Sequence, residues 1–270
     1  MSCKKPLYAD ERRASILAVL DRSASVQVSG LARAFSVSAV TIRGDLDALE
    51  RAGKLRRTHG GAVSLHRSLT VSIQDRRVNV NVEAKRRIAQ ASLSLISDGD
   101  ALLVDSGTTA LEFVRMLGVY QSLTVITADV TIADLIDESM PSVDVMLLGG
   151  ALRQGHRYLT GPLVLRSLEV LHPDKAVICP TSYVPGRGLM TGYAQMAEVK
   201  AAFLAAADEC IVLMDATKIG SSGLMRFGGL EDVDAVVVDA DPDGLIEADI
   251  RTAMETSASR CRLLIADATS

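Results

Sequence analysis

The run Val37-Ser-Ala-Val-Thr-Ile-Arg-Gly-Asp-Leu46 constrains the fold of this 270-residue chain more than any other feature. Ser38 is a natural helix N-cap, because its hydroxyl can accept from an amide that would otherwise lack a partner. Ile42, Leu46 and Leu49 recur at helical spacing and make one face apolar, while Thr41 and Arg43 fall on the other. A helix that buries one side and offers hydroxyls and a guanidinium on the other suits a DNA major groove.

The flanking sequence completes a unit around this helix. Glu11-Arg-Arg-Ala-Ser-Ile-Leu-Ala-Val-Leu20 carries Ile16, Leu17 and Leu20 at helical spacing, and Ser29-Gly-Leu-Ala-Arg-Ala-Phe35 reads as a short second helix opening at Ser29. A tight Ser36-Val37 turn then leads into the third, the arrangement of a helix-turn-helix. Gly53 is a plausible C-cap, and the run through Lys54, Arg56, Arg57 and His59 reaches Gly60-Gly61, which can turn a two-stranded ribbon. A core fragment with a solvated charged loop would explain each signal singly but not their joint order. Ser38, Thr41, Arg43, Lys54, Arg56, Arg57 and His59 are the expected contacts to double-stranded operator DNA.

Charge sets this segment apart. Residues 1–67 hold 12 Lys+Arg against 6 Asp+Glu, a net of +6, and the remainder, with 17 against 27, carries −10. Phosphate contacts from the basic end would supply affinity, while the helix supplies sequence choice.

These residues resemble the DeoR family of bacterial transcriptional regulators. The family pattern stands here as Val37-Ser38, Thr41-Ile42-Arg43, Asp45-Leu46, Gly53 and His59-Gly60-Gly61-Ala62. One position departs from it: Gly44 occupies a place where the family usually has a second Arg, which costs helix stability and removes a contact to DNA.

The rest of the chain reads as a larger globular body. The length suits two domains, a winged helix-turn-helix over 1–65 and an α/β effector and oligomerisation domain over 81–270, joined by a polar linker over 66–80 with Arg67, Asp75, Arg76 and Arg77. A hydrophobic content of 48% is ample for a buried core. No uncharged apolar run is long enough to span a membrane, and no apolar region follows Lys4 and Lys5, so a cytoplasmic protein with no membrane partner is expected. Cys3, Cys179, Cys210 and Cys261 are isolated, and histidine occurs only at 59, 66, 156 and 172. Reduced thiols and no metal site or cofactor are therefore expected.

From Asn81, a candidate helix cap, the pattern alternates. A helix through Ala84, Ile88, Ala91 and Leu95 is followed by a strand over 101–104, a helix near 109–117, strand 123–127, helix 129–138, strand 143–148, helix 163–171 and strand 175–179. Helix 194–206, strands 210–214 and 234–239, a helix near 244–255 and strand 262–266 continue the series. Such alternation predicts a largely parallel sheet with helices on both faces.

In an open parallel sheet, ligands collect at the carboxyl ends of the strands. There the sequence places Asp105-Ser-Gly-Thr-Thr109, where Gly107 can admit close backbone approach and the hydroxyls of Ser106, Thr108 and Thr109 can meet an anion. It is neither a Walker loop nor a dinucleotide fingerprint. Thr127-Ala-Asp129, Gly149-Gly150 with Arg153, and Asp215-Ala-Thr-Lys218 also follow strands and should share one rim. Lys218 and Arg153 can neutralise a dianion, and Asp105 and Asp129 can accept from sugar hydroxyls, which together make a sugar-phosphate site. Helix capping and loop decoration are the plainer reading of each residue taken singly.

Over residues 75–265 the chain also resembles the DeoR-type effector domain, whose fold is similar to ribose 5-phosphate isomerase. The resemblance rests on Asp105-Ser-Gly-Thr-Thr109, Leu148-Gly-Gly150, Gly161-Pro162, Ala197-Glu198-Val-Lys200 and Asp215-Ala-Thr-Lys218-Ile-Gly220. It implies that Ser106 to Thr109, Lys200 and Lys218 contact the ligand. The chain departs from the family at Thr127-Ala128, usually Thr-Asn, and at Cys179-Pro-Thr-Ser-Tyr-Val-Pro-Gly-Arg187, usually a glycine-rich uncharged loop. The expected function is a repressor, a homodimer or homotetramer, sensing a sugar or polyol phosphate. A sugar-phosphate isomerase with an appended DNA reader is the rival, and it would need Asp129 or Glu198 as a base.

Overall fold

A computed structural model describes residues 9–23, 25–58, 60–64, 80–257 and 259–266. His59 and the expected linker segment 66–79 lie outside these described residues. The chain forms two compact units, 1–71 and 72–270.

In the first unit, α1 (Ala9–Ser23), α2 (Val28–Phe35) and α3 (Ala39–Arg51) enclose a core of Ile16, Leu20, Leu31, Ile42, Leu46, Leu49 and Leu55. The turn between α2 and α3 is closed by Ser36 in the left-handed region (φ 54°) and by the Val37 amide donating to Ala32 O at 3.1 Å. Ser38 caps α3 as expected, its Oγ accepting from the Thr41 amide at 3.0 Å. The second helix begins one residue before the expected Ser29. A strand β1 (Ser25–Gln27), not foreseen from the sequence, runs straight into it, and the Val28 amide finds the carbonyl of Gly60 at 2.9 Å instead of a capping side chain.

β1 pairs with β3 (Gly61–Ser64), which pairs in turn with β2 (Leu55–Thr58), so the wing is a three-stranded sheet in the order β1-β3-β2. Gly61 permits the approach, since a Cβ there would lie 1.8 Å from Val26 O. Asp45, on the buried side of α3, joins the helix to α1 by accepting from Arg12 Nε at 2.5 Å and Arg13 Nε at 3.2 Å.

The second unit is built on a seven-stranded parallel sheet. Its strands are β4 (Ala101–Val104), β5 (Leu123–Thr127), β6 (Val143–Leu147), β9 (Lys175–Ile178), β12 (Glu209–Met214), β14 (Ala235–Val238) and β15 (Arg262–Ile265), in the order β15-β14-β12-β9-β4-β5-β6. Alternate residues point to opposite faces. Leu102, Val104, Val177 and Leu213 pack with Ile88, Phe113 and Ile136 from α4 (Val82–Ser92), α5 (Thr108–Val114) and α6 (Val130–Ser139). Leu103, Ile178, Val212 and Val236 pack on the other face with Leu168, Phe203 and Ile250 from α7 (Pro162–Leu168), α8 (Ala194–Ala206) and α9 (Leu245–Thr256).

The chain builds β4, β5 and β6 in one direction, then returns to the far side of β4 to build β9 and the rest. The reversal opens a crevice at the carboxyl ends of β4 and β9. Two small antiparallel pieces stand beyond the main sheet, the hairpin β7 (Ala151–Arg153) and β8 (Tyr158–Thr160), and a sheet of β10 (Ser182–Val184), β11 (Gly188–Thr191) and β13 (Met225–Gly228).

Two local expectations are corrected. Asn81 does not cap α4 with its side chain; it adopts a left-handed backbone (φ 54°), and its Nδ2 donates to Asp215 Oδ1 at 3.3 Å. α4 stops at Ser92, whose hydroxyl takes the Ala89 carbonyl, and the chain continues to Leu95 as a 3₁₀ turn.

Gly44 lies in the interior of α3, exposed, and a Cβ there would meet nothing within 4 Å. Gly44→Ala should therefore stabilise the first unit by about 0.5–1 kcal/mol. Slower amide exchange throughout α3 would register the gain; unchanged or faster exchange would show a strain that the backbone does not display.

Candidate functional site

The first unit presents an exposed polar surface along α3. Ser38, Thr41 and Arg43 are exposed on the side opposite buried Ile42, Leu46 and Leu49. Among the described residues, Arg43 and Lys54 make no ion pair or hydrogen bond through their side chains, so both cations are available to an outside partner. Arg57 differs from its neighbours. Its Nε pairs with Asp47 Oδ1 at 3.0 Å and its Nη1 donates to Gly61 O at 3.2 Å, so it ties the wing to α3. The side chain of Arg56 lies outside the described parts, although its backbone sits in β2.

In the second unit a cavity of about 480 Å³ opens at the crevice between β4 and β9. Ser106, Gly107, Thr108 and Thr109 line it, as do Lys200, Lys218 and Arg153, so seven of the expected residues share one space. Gly107 (φ 140°) carries the chain from β4 into α5 through a conformation that disfavours a side chain. Among the described residues nothing accepts from the amides of 106–109, which leaves these donors to water or a ligand.

Asp105 is buried behind the cavity wall. Its Oδ2 accepts from the Cys179 amide at 2.9 Å and from the Lys200 ammonium, and Lys200 also donates to the Cys179 carbonyl at 2.9 Å. The other oxygen, Oδ1, is buried with no partner among the described residues. The acid thus orients Lys200 and the loop after β9, and it does not line the cavity, where it was expected to meet sugar hydroxyls.

Four other expected contacts stand apart from the cavity. Thr127 donates its hydroxyl to Val104 O at 2.8 Å, and Asp129 caps α6 through the amides of Thr131 and Ile132 at 2.7 and 3.3 Å. Gly149 is exposed. Gly150 (φ 153°) lets the β7–β8 hairpin close, since a Cβ would come within 2.8 Å of Thr160 O. These residues hold the rim in place, because β5 and β6 lie toward one edge of the sheet and only the hairpin reaches back over the crevice.

The cavity also recruits side chains that the sequence reading passed over: Lys85, His156, Tyr158 and Tyr193. Lys85 is buried, with Nζ donating to Val80 O at 2.5 Å. Arg153 donates to the Tyr158 hydroxyl and stacks on Tyr193, 3.8 Å from the ring centroid. Their periods gave no warning, since a three-residue hairpin strand shows no alternation and Lys85 sits in an ordinary helical pattern. The lining holds four lysines and arginines and one carboxylate, Asp215, whose Oδ1 accepts from the Thr217 amide at 3.1 Å and from Asn81. Such a surplus of cations favours an anionic guest.

Burial also sets the two titrating groups beside the cations. The Cys179 thiol is pushed up to about 12, chiefly by burial and then by the charge of Asp105, with Lys200 opposing. Burial raises the Tyr158 phenol, with the hydrogen bond from Arg153 pulling the other way. Among the described residues no group of His, Cys, Asp and Glu could hold a metal ion, and no helix is long and apolar enough to cross a membrane.

Residues 12–68 match the DeoR-like helix-turn-helix domain and residues 80–240 match the DeoR C terminal sensor domain. The chain is 29% identical to the HTH-type transcriptional repressor GlcR of Bacillus subtilis, covering 88% of this chain and 91% of that one. It is 31% identical to the transcriptional repressor AccR of Agrobacterium fabrum over 88% of this chain and 92% of AccR. Among solved structures, ribose 5-phosphate isomerase A from Methanocaldococcus jannaschii overlaps 52% of this chain and 55% of its own, at 18% identity and a TM-score of 0.39.

Two expectations follow from the buried pair and its neighbour. Lys200→Met should destabilise the second unit by about 3–5 kcal/mol by leaving Asp105 buried without its counter-charge, and Lys200→Met with Asp105→Leu should recover most of the loss. Urea unfolding of both variants decides it, and equal losses would mean the pair is not coupled. The thiols of Cys179, Cys210 and Cys261 are all pushed up to about 12, largely by burial. The folded state therefore holds these protons more tightly than the unfolded chain. The stabilisation is present below the ordinary thiol value of 9.0 and is lost as pH climbs toward 12. A Cys3→Ser variant should accordingly resist iodoacetamide at pH 8; rapid labelling of Cys179 would contradict this.

Proposed function

We propose that this chain, which belongs to the DeoR family of transcriptional regulators, represses a carbohydrate or polyol catabolic operon and that a phosphorylated sugar or polyol controls its grip on the operator. It is a regulator and not an enzyme: the relatives GlcR and AccR are named as transcriptional repressors. The two acids an isomerase could have used are also ill placed, with Asp129 engaged in capping α6 and Glu198 exposed and outside the cavity lining.

The observation that carries the effector reading is the cation surplus of the crevice. A phosphate at the Ser106–Thr109 turn would receive backbone amides and hydroxyls together with the ammonium of Lys218, which has no carboxylate partner among the described residues. Charge-assisted hydrogen bonds of this kind are the strong ones, and an uncharged sugar would forfeit them. On the DNA side, Arg43 reads a base edge and Lys54 holds a phosphate, with Ser38 and Thr41 beside them and Arg57 fixing the wing. One reading head contacts few bases, so the working unit is a homodimer or homotetramer on repeated half-sites. An effector shifts operator affinity only through different affinity for the bound and released arrangements.

Arg43→Ala should remove sequence preference, at about 1–3 kcal/mol for one operator position, whereas Lys54→Ala should weaken operator and scrambled DNA alike and flatten the salt dependence. Gel-shift titrations on both DNAs at two salt concentrations separate these outcomes, and equal losses for Arg43→Ala would assign it to the backbone. Lys218→Ala should cost about 1.5–3 kcal/mol of effector binding, read by calorimetry with the best sugar phosphate from a thermal-shift panel. Full effector affinity in this variant would place the phosphate elsewhere.

A further inference from the structure

We infer that Val40 recognises a thymine in each operator half-site, its methyl groups packing on the C5-methyl that thymine displays in the major groove, beside the base that Arg43 reads. The inference rests on α3 being the operator-reading helix and specifies what that helix reads.

Val40 is 74% exposed and stands in the first turn of α3, just after the Ser38 cap. Leu49, in the core of the first unit, follows it by about two and a half turns, so Val40 faces directly away from that core. Arg43, Gly44 and Asp47 fall on its side of the helix, at the spacings that make helical neighbours. Neither burial nor helix propensity explains a valine here. A β-branched side chain gives up rotamer freedom in a helix, and this one regains nothing by packing, whereas Ile42, Leu46 and Leu49 are all buried.

The neighbouring residues leave the valine bare. Helical side chains lean toward the N-terminus, so a side chain at 44 would lie back over Val40. That position is glycine, and the space a Cβ would take is open. On the other side the hydroxyls of Ser38 and Thr41 share a hydrogen bond of 2.8 Å, and Ser38 Oγ also accepts from the Thr41 amide at 3.0 Å. With these hydroxyls engaged in the cap, the methyl groups of Val40 and the guanidinium of Arg43 are presented at the start of the helix, the part of a recognition helix that meets base edges.

An apolar side chain on a base edge in the major groove gains from the thymine methyl; against the donors and acceptors of the other edges it leaves polar groups unpaired. The Cβ atoms of residues at this spacing lie roughly 5–6 Å apart, under two base steps of roughly 3.4 Å. The thymine therefore lies within about two base pairs of the base that Arg43 reads.

Selection of bound duplexes from a random library with the full chain supplies the probe. The selected consensus is then rebuilt with deoxyuridine, which lacks only the methyl, in place of one thymine at a time. At one thymine of each half-site the replacement should weaken binding roughly 4-fold, as expected for one methyl returned to water. Val40→Ala, which keeps a good helix former at an exposed site, should bind thymine and uracil equally at that position while responding like the parent at every other. Arg43→Ala should keep the thymine preference and lose the preference at the nearby base. A thymine preference that persists in Val40→Ala would assign it to DNA shape or another side chain and overturn the inference, as would a consensus with no uracil-sensitive thymine within two base pairs of the Arg43 base. A selection that returns no consensus would bring down the operator reading of α3 as well.

Discussion

The crevice depends on one buried ion pair. Lys200 reaches from α8 to Asp105 at the end of β4, and both groups hold the Cys179 backbone just after β9, one at its amide and the other at its carbonyl. β4 and β9 are the neighbours between which the strand order reverses, so the pair joins the two halves of the sheet where they would otherwise part. Its net effect on stability is a small difference between a large desolvation cost and a large attraction. Its geometric effect is more definite: the turn carrying Ser106–Thr109, the loop after β9 and the first half of α8 share one anchor, and the cavity lies among them.

A comparable device orders the reading head. Asp45 faces inward from α3 and receives Arg12 and Arg13 from α1, while Arg57 turns inward to Asp47 and the wing. Part of the positive charge of the first unit is thus spent on its own architecture, and Arg43 and Lys54 remain for a partner. The net charge of a segment is a statement about its long-range field; which side chains can touch DNA is decided by such internal pairs.

The hairpin that brings Arg153 over the crevice stands outside the main sheet of the sensor unit. It is held by backbone contacts to the end of β5 and by glycine at 150, where a side chain would strike the Thr160 carbonyl. A ligand that touches the turn after β4, Lys218 after β12 and this hairpin would link three elements of the sensor unit directly. Such linkage is how a small molecule biases a larger equilibrium.

The sequence by itself determined the reading helix, its cap and its buried face, because those depend on residues within a few positions of one another. It also determined the parallel sheet and most of its boundaries: strand 123–127 and helix 194–206 stand where the pattern put them, since continuous apolar runs and helical spacing are local signals. It singled out the Ser106–Thr109 turn, Lys200 and Lys218 by motif, and the fold brings these residues to one cavity. Tertiary structure decided the rest. Strand β1 exists because β3 offers it an edge; α2 starts at Val28 because a distant carbonyl takes its amide; Thr127 and Asp129 became scaffolding because the end of β5 is covered by a hairpin too short to show a period. That Arg153 and Lys218 line one cavity depended on the order of strands in the sheet, a long-range pairing that no stretch of the chain encodes alone.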